Sequence, residues 1–187
     1  ISLTEFHLTQ RGIMRQGAVN IDYPMIAGKF SIVRIRLDAK TSDGYSTYVN
    51  RVKLSLKRLE GLTPVDAGEF WGTSYSPYVS SFNSSWAMAG IHFWLNGVDV
   101  REPGYYRMIF QGYIGDTPVG APMEIPAPEN MIYFHRTRPL RIFVLPTEAP
   151  LYDQNLGMAH LEQTVRVLQF VKRAFPVAAD GIDCLTA

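Results

Sequence analysis

The sequence predicts a mainly β fold: an antiparallel β-sandwich, Ig-like or jelly-roll-like, with a C-terminal strand–helix appendage. Three observations predict it. Apolar and polar residues alternate with period two through several short segments, turn-forming residues separate those segments, and no helical periodicity appears before about residue 150. The chain has 187 residues, of which 47% are hydrophobic and 19% charged, enough apolar side chain to bury a core.

The elements follow in order. Residues 2–8 form a short first strand candidate. Residues 29–39 place Val33, Ile35 and Leu37 on one side and Arg34, Arg36 and Asp38 on the other, because successive strand side chains face opposite ways. Ser42-Asp43-Gly44 turns the chain into residues 51–58 (RVKLSLKR), where Val52, Leu54 and Leu56 oppose Arg51, Lys53, Ser55 and Lys57. Residues 60–88 are long and poor in strand patterning. Residues 91–95 are a further short strand, and Asn96-Gly97 and Glu102-Pro103-Gly104 bracket the connection to residues 105–114. There Tyr106, Met108 and Phe110 oppose Arg107 and Gln111. Residues 115–130 hold Pro118, Pro122, Pro126 and Pro128, which deny a central strand and predict an edge strand or an extended loop.

The character changes near Pro139. Residues 140–145 (LRIFVL) are a nearly continuous apolar run, the pattern of a strand buried on both faces. Leu161, Val165, Leu168, Val171 and Phe175 then recur at helical spacing over residues 158–175, with Asn155 as the cap and Pro176 as the stop. Residues 181–185 read as the start of another strand. The expected division is a sandwich domain over residues 1–137 and a strand–helix tail over 138–187. The tail either opens a following α/β domain or docks on the sandwich.

Composition excludes several functions. Lys plus Arg is 18 and Asp plus Glu 17, a net charge of +1, which argues against a nucleic-acid partner. No apolar run approaches the roughly 20 residues of a membrane-spanning helix. The single cysteine, Cys184, excludes an intrachain disulfide and a cysteine-rich zinc cluster. The first residue, Ile1, is expected to mark a processed product or an excised piece.

No catalytic or cofactor signature emerges, so the sequence predicts no enzyme in this chain, no cofactor and no metal site. His7, His92, His135 and His160 show no ligand spacing and read as hydrogen-bonded or exposed histidines. Gly72-Thr73-Ser74-Tyr75-Ser76 lacks the second glycine of a nucleophile elbow, and Cys184 has no recognisable helper motif. Ala27-Gly28-Lys29 precedes a strand and not a helix, so a phosphate-binding loop fails on context.

Two surface candidates remain. Trp71, Tyr75, Tyr78, Phe82 and Trp86 fall close together among serines and glycines. They either pack over an open end of the sandwich or stack on sugar rings or a protein partner. Asn83-Ser84-Ser85 within them is a glycosylation sequon at Asn83. Arg136, Arg138 and Arg141, with His135 beside them, either bind an anion or are simply solvated.

Three stretches resemble an N-terminal β-sandwich module of secreted bacterial and archaeal zinc metallopeptidases and related surface proteins. The first is residues 6–10 (FHLTQ) followed by 20–36 (NIDYPMIAGKFSIVRIR), similar to an opening strand ending in Thr-Gln and an Ala-Gly-Lys strand. The second is residues 90–106 (GIHFWLNGVDVREPGYY). The third is residues 138–146 (RPLRIFVLP) with the helix and Phe175-Pro176-Val177, similar to the approach to the peptidase domain. The resemblance implies an extracellular or cell-surface sandwich placed before a catalytic domain. The zinc signature His-Glu-x-x-His is absent, and the nearest string is His160-Leu161-Glu162-Gln163-Thr164. The expected function is therefore a non-catalytic module that positions or docks a neighbouring domain or protein. The alternatives are a self-assembling subunit of a filament or surface layer, and a carbohydrate-binding module using the aromatic loop.

Overall fold

Period-two alternation builds two sheets whose apolar faces meet. The computed structural model describes residues 1–10, 18–44, 49, 51–74, 90–138, 140–144, 165–171, 175 and 182–186, with backbone alone for 73–74, 140–144 and 182–186. One sheet comprises β1 (Ser2–Thr9), β2 (Val19–Ile21), β4 (Ser31–Asp38), β7 (Thr73–Ser74) and β8 (Ile91–Leu95), in the order β2-β1-β4-β8-β7. The other comprises β3 (Met25–Ile26), β5 (Arg51–Glu60), β6 (Thr63–Trp71), β9 (Gly104–Ile114), β10 (Thr117–Glu124) and β11 (Ile132–His135), in the order β3-β11-β9-β5-β6 with β10 also paired to β9.

The inward residues are those the alternation selects. Phe6 and Leu8, Val33, Ile35 and Leu37, and Ile91, Phe93 and Leu95 line one sheet. Val52, Leu54 and Leu56, Tyr106, Met108 and Phe110, and Ile132 and Phe134 line the other; all are buried. Phe110 interlocks the layers, its ring 6.1 Å from Phe6 and 5.7 Å from Phe93. Each large apolar side chain so buried contributes about 1.5–3 kcal/mol.

The sheets are mixed and not purely antiparallel. β1 pairs β2 in parallel, and β11 pairs β3 in parallel, through registers of three and two residues. The proline-rich segment is β10, an edge strand whose pairing to β9 shifts between Val119 and Met123.

One expectation needs correction. In the described part of 60–88, residues 60–74, strand is present where little was expected: β6 and β7 occupy 63–71 and 73–74. The alternation of β6 is hidden because its register against β5 shifts between Leu56 and Lys57. This slips Ala67 towards the core beside Phe70 while Asp66, Glu69 and Trp71 face outward. Arg34 lies on the outward side as the alternation predicts, yet it is only 6% exposed. It points away from the core, but Glu5 and His7 of the adjacent strand close around its guanidinium.

In the tail, β12 (Leu140–Val144) and β13 (Ile182–Thr186) form a parallel pair running from Leu140↔Ile182 to Val144↔Thr186. Residues 165–171 are helical and lie between them in sequence, so the tail has strand–helix–strand order with a parallel pairing.

Candidate functional site at the 27–31 loop

β1 ends at Thr9, and Gln10 follows it. Its amide reaches across to the loop that leads into β4. Nε2 donates to the Ile26 carbonyl at 2.8 Å, to Ser31 Oγ at 2.9 Å and, more weakly, to the Lys29 carbonyl at 3.3 Å. Oε1 accepts from Ile26 N at 2.8 Å. One side chain thus answers backbone groups that no strand partner satisfies. The loop is tied twice more: Ala27 N donates to the His135 carbonyl and Gly28 N to the Val100 carbonyl, both at 2.9 Å. Gly28 sits at φ 76°, a left-handed conformation that glycine adopts without a Cβ clash. Both sheets therefore hold this loop, since β1 and β11 belong to different layers.

From this fixed loop Lys29 reaches into the tail. Its Nζ donates to the Phe175 carbonyl at 2.6 Å, and the residue is only 6% exposed. Phe175 N donates to the Val171 carbonyl at 3.0 Å, which ties Phe175 to the end of the described helix. Its carbonyl lies just beyond the described helix, and Pro176, next in sequence, supplies no N–H. An ammonium group there complements the negative end of the helix dipole. Burying a lysine is costly unless it is paired, and the Phe175 carbonyl is one of the acceptors its ammonium meets.

A second polar cluster lies on the outward side of the five-stranded sheet. Asn20, His7, Arg34 and His92 align in one cross-strand row. Glu5 accepts from Arg36 Nη1 at 2.8 Å and from Arg34 Nη2 at 3.3 Å. Arg34 Nη2 also lies 3.2 Å from His7 Nε2. A guanidinium only donates, so in a hydrogen bond between them His7 Nε2 is the acceptor. Burial lowers the Arg34 pKa; Glu5 opposes that shift and Arg36 adds to it. His92 stacks on Trp94, and Trp94 on Phe30, at centroid distances of 6.5 and 5.8 Å.

Of the aromatic candidates, Trp71 is described and 47% exposed; Tyr75, Tyr78, Phe82 and Trp86, with Asn83, lie outside the described residues. Arg51 sits 4.0 Å over the Trp71 ring, and Tyr113 meets it edge-on at 5.1 Å. Arg136 and Arg138 are exposed after β11, and Arg141 lies on β12 with its side chain outside the described residues. Among the histidines, His7 and His92 are buried and His135 is exposed, its ring 4.7 Å from Tyr133. His160 lies outside the described residues, as does the Cys184 side chain. Among the described residues, no three His, Cys, Asp or Glu side chains converge as a metal-ligand group.

In sequence, Ala27-Gly28-Lys29 reads as a failed phosphate loop and as part of a family-like string, and Gln10 as part of such a string alone. What assembles them is the tertiary approach of β1, β4 and the helix end, which no local spacing encodes. No protein-family model, curated protein or solved structure matches the chain.

Proposed function

We propose that the chain is a non-catalytic positioning module, whose sandwich holds the strand–helix–strand tail in a fixed place and so orients what the tail belongs to. The observation that carries this reading is the buried Lys29 gripping the Phe175 carbonyl from a loop that Gln10, Val100 and His135 hold rigid. A lysine serving only solubility would be solvated. The parallel β12–β13 pair supports the same reading, because parallel strands with a crossover helix are ordinarily built into larger covered sheets.

The resemblance to metallopeptidase modules supplies the setting: an extracellular or cell-surface protein in which the sandwich precedes another domain. A His-Glu-x-x-His motif encoded downstream of Ala187 supports that setting, and a stop codon there removes it. The filament-subunit alternative has less support. Among the described strands, β2, β3 and β7 have three, two and two residues, and the nine-residue edge strand β6 carries Pro64, Asp66 and Glu69, which blunt strand addition.

Hydrogen exchange tests the proposal. Lys29→Met is expected to speed exchange of the 165–171 amides about tenfold or more while β4, β5 and β9 keep their protection. Equal protection of 165–171 in both proteins would remove the docking role.

A further inference from the structure

The outward face of the six-stranded sheet carries a different kind of site. Among the described residues, four cations cross it, and each is matched by an acid of the same surface. Arg51 meets Asp116 at 3.2 Å and Lys53 meets Glu69 at 2.9 Å; Lys57 pairs with Asp66, and Arg107 meets Glu124 at 2.5 Å. The face is therefore internally neutralised, and a polyanion approaching it would have to displace its own carboxylates.

Aromatic stations stand at its two ends. At one end Trp71, with Arg51 over its ring and Tyr113 edge-on to it, remains 47% exposed. At the other, Tyr105 is 49% exposed and packs edge-on at 4.8 Å against Tyr133, its direct cross-strand partner. Tyr113 and Tyr105 lie on the same side of β9, eight residues apart, a span of about 26 Å at about 3.3 Å per residue. The two stations are thus too far apart for one small ligand and suit an elongated one.

We infer that this face binds an extended, uncharged polysaccharide chain, whose sugar rings stack on Trp71 and Tyr105 and whose hydroxyl groups bond to the paired charges between them. The charge balance favours this occupant: hydroxyls can join paired charges without breaking them, whereas stacking needs only the apolar faces of the rings. The inference is independent of the Lys29 contact, which lies on the loop before β4.

The test is affinity electrophoresis of the full chain through gels containing hydroxyethyl cellulose, galactomannan or soluble starch, with alginate as the anionic control. At least one neutral polymer should retard the protein, and the retardation should survive 0.5 M NaCl. Trp71→Ala and Tyr105→Ala should each weaken that binding about tenfold, whereas Tyr105→Phe, which keeps the ring, should weaken it less than threefold. Both positions are exposed, and an unchanged thermal transition verifies folding of each variant. Retardation by none of the neutral polymers would overturn the inference. So would salt-sensitive retardation by alginate alone, or binding indifferent to both alanine substitutions, as for a face that meets a protein partner instead.

Discussion

Gly72 is the corner at which the chain leaves one sheet for the other, and replacing it with alanine tests the packing most sharply. β6 ends at Trp71 in the six-stranded sheet, and β7 begins at Thr73 in the five-stranded sheet. Between them Gly72 N donates to the Val52 carbonyl at 2.8 Å. A Cβ on Gly72 would lie 2.2 Å from Ile91 Cγ2 and 2.8 Å from two ring carbons of Phe93. Ordinary carbon contacts are about 3.5–4.0 Å, and Ile91 and Phe93 are buried, so neither can yield into solvent. Overpacking of this kind costs about 1–3 kcal/mol, and two clashes with buried partners place Gly72→Ala at the upper end, about 3 kcal/mol. For a chain of this length that lowers the thermal midpoint by about 6–12 °C. Calorimetry measures it, and a double-mutant cycle with Ile91→Ala, which removes the clashing methyl, should return a favourable coupling of about 1 kcal/mol or more. A Gly72→Ala protein melting within about 1 °C of the parent would refute the assigned corner.

Gln10→Leu should cost about 1–3 kcal/mol in urea unfolding, because Ile26 N loses its acceptor in a partly buried loop; an unchanged midpoint would contradict the pinning described above. Glu5→Gln should cost about 2 kcal/mol, less than the about 3–5 kcal/mol for breaking a fully buried pair because Glu5 keeps 27% exposure; Glu5→Gln with no loss of stability would argue against the Arg34 cluster. Glu69 offers a pH test. Its hydrogen bond from Lys53 holds the carboxyl below its ordinary value, so the pair stabilises the fold above the ordinary carboxylate pKa of about 4.3 and that contribution is lost as pH falls through the lower folded value. Glu69→Gln should therefore differ from the parent in urea midpoint at pH 7 and match it near pH 2; a difference that grows in acid would invert the sign.

Much of the sandwich is legible because its strands obey one rule. Val33-Ile35-Leu37, Val52-Leu54-Leu56 and Tyr106-Met108-Phe110 each mark an inward face without help from the rest of the chain, and residues 91–95 match β8 in full. The rule fails where tertiary structure overrides it. β6 is obscured by its bulge and by Pro64 and Gly68, which erase the period locally. The short parallel pairings of β2 and β3 are set by where loops return, and two or three residues hold too little pattern to announce them. The burial of the outward-facing Arg34 depends on Glu5 and His7 of a strand about thirty residues away, which its own strand's pattern does not show. The candidate site was legible least of all. Trp71 is found by counting aromatics, but Gln10, Lys29 and Phe175 meet only in space, and the last two are separated by 146 positions.

The most direct measurement of the central claim is the distance between sandwich and tail. Spin labels at Asp43→Cys and Gln169→Cys, in a protein carrying Cys184→Ser, place one probe on an exposed turn and the other on an exposed helix position. A docked tail predicts a single narrow distance distribution that broadens with Lys29→Met and is indifferent to Lys40→Met, an exposed control. A broad distribution in the parent, or one that Lys29→Met leaves untouched, would contradict the account.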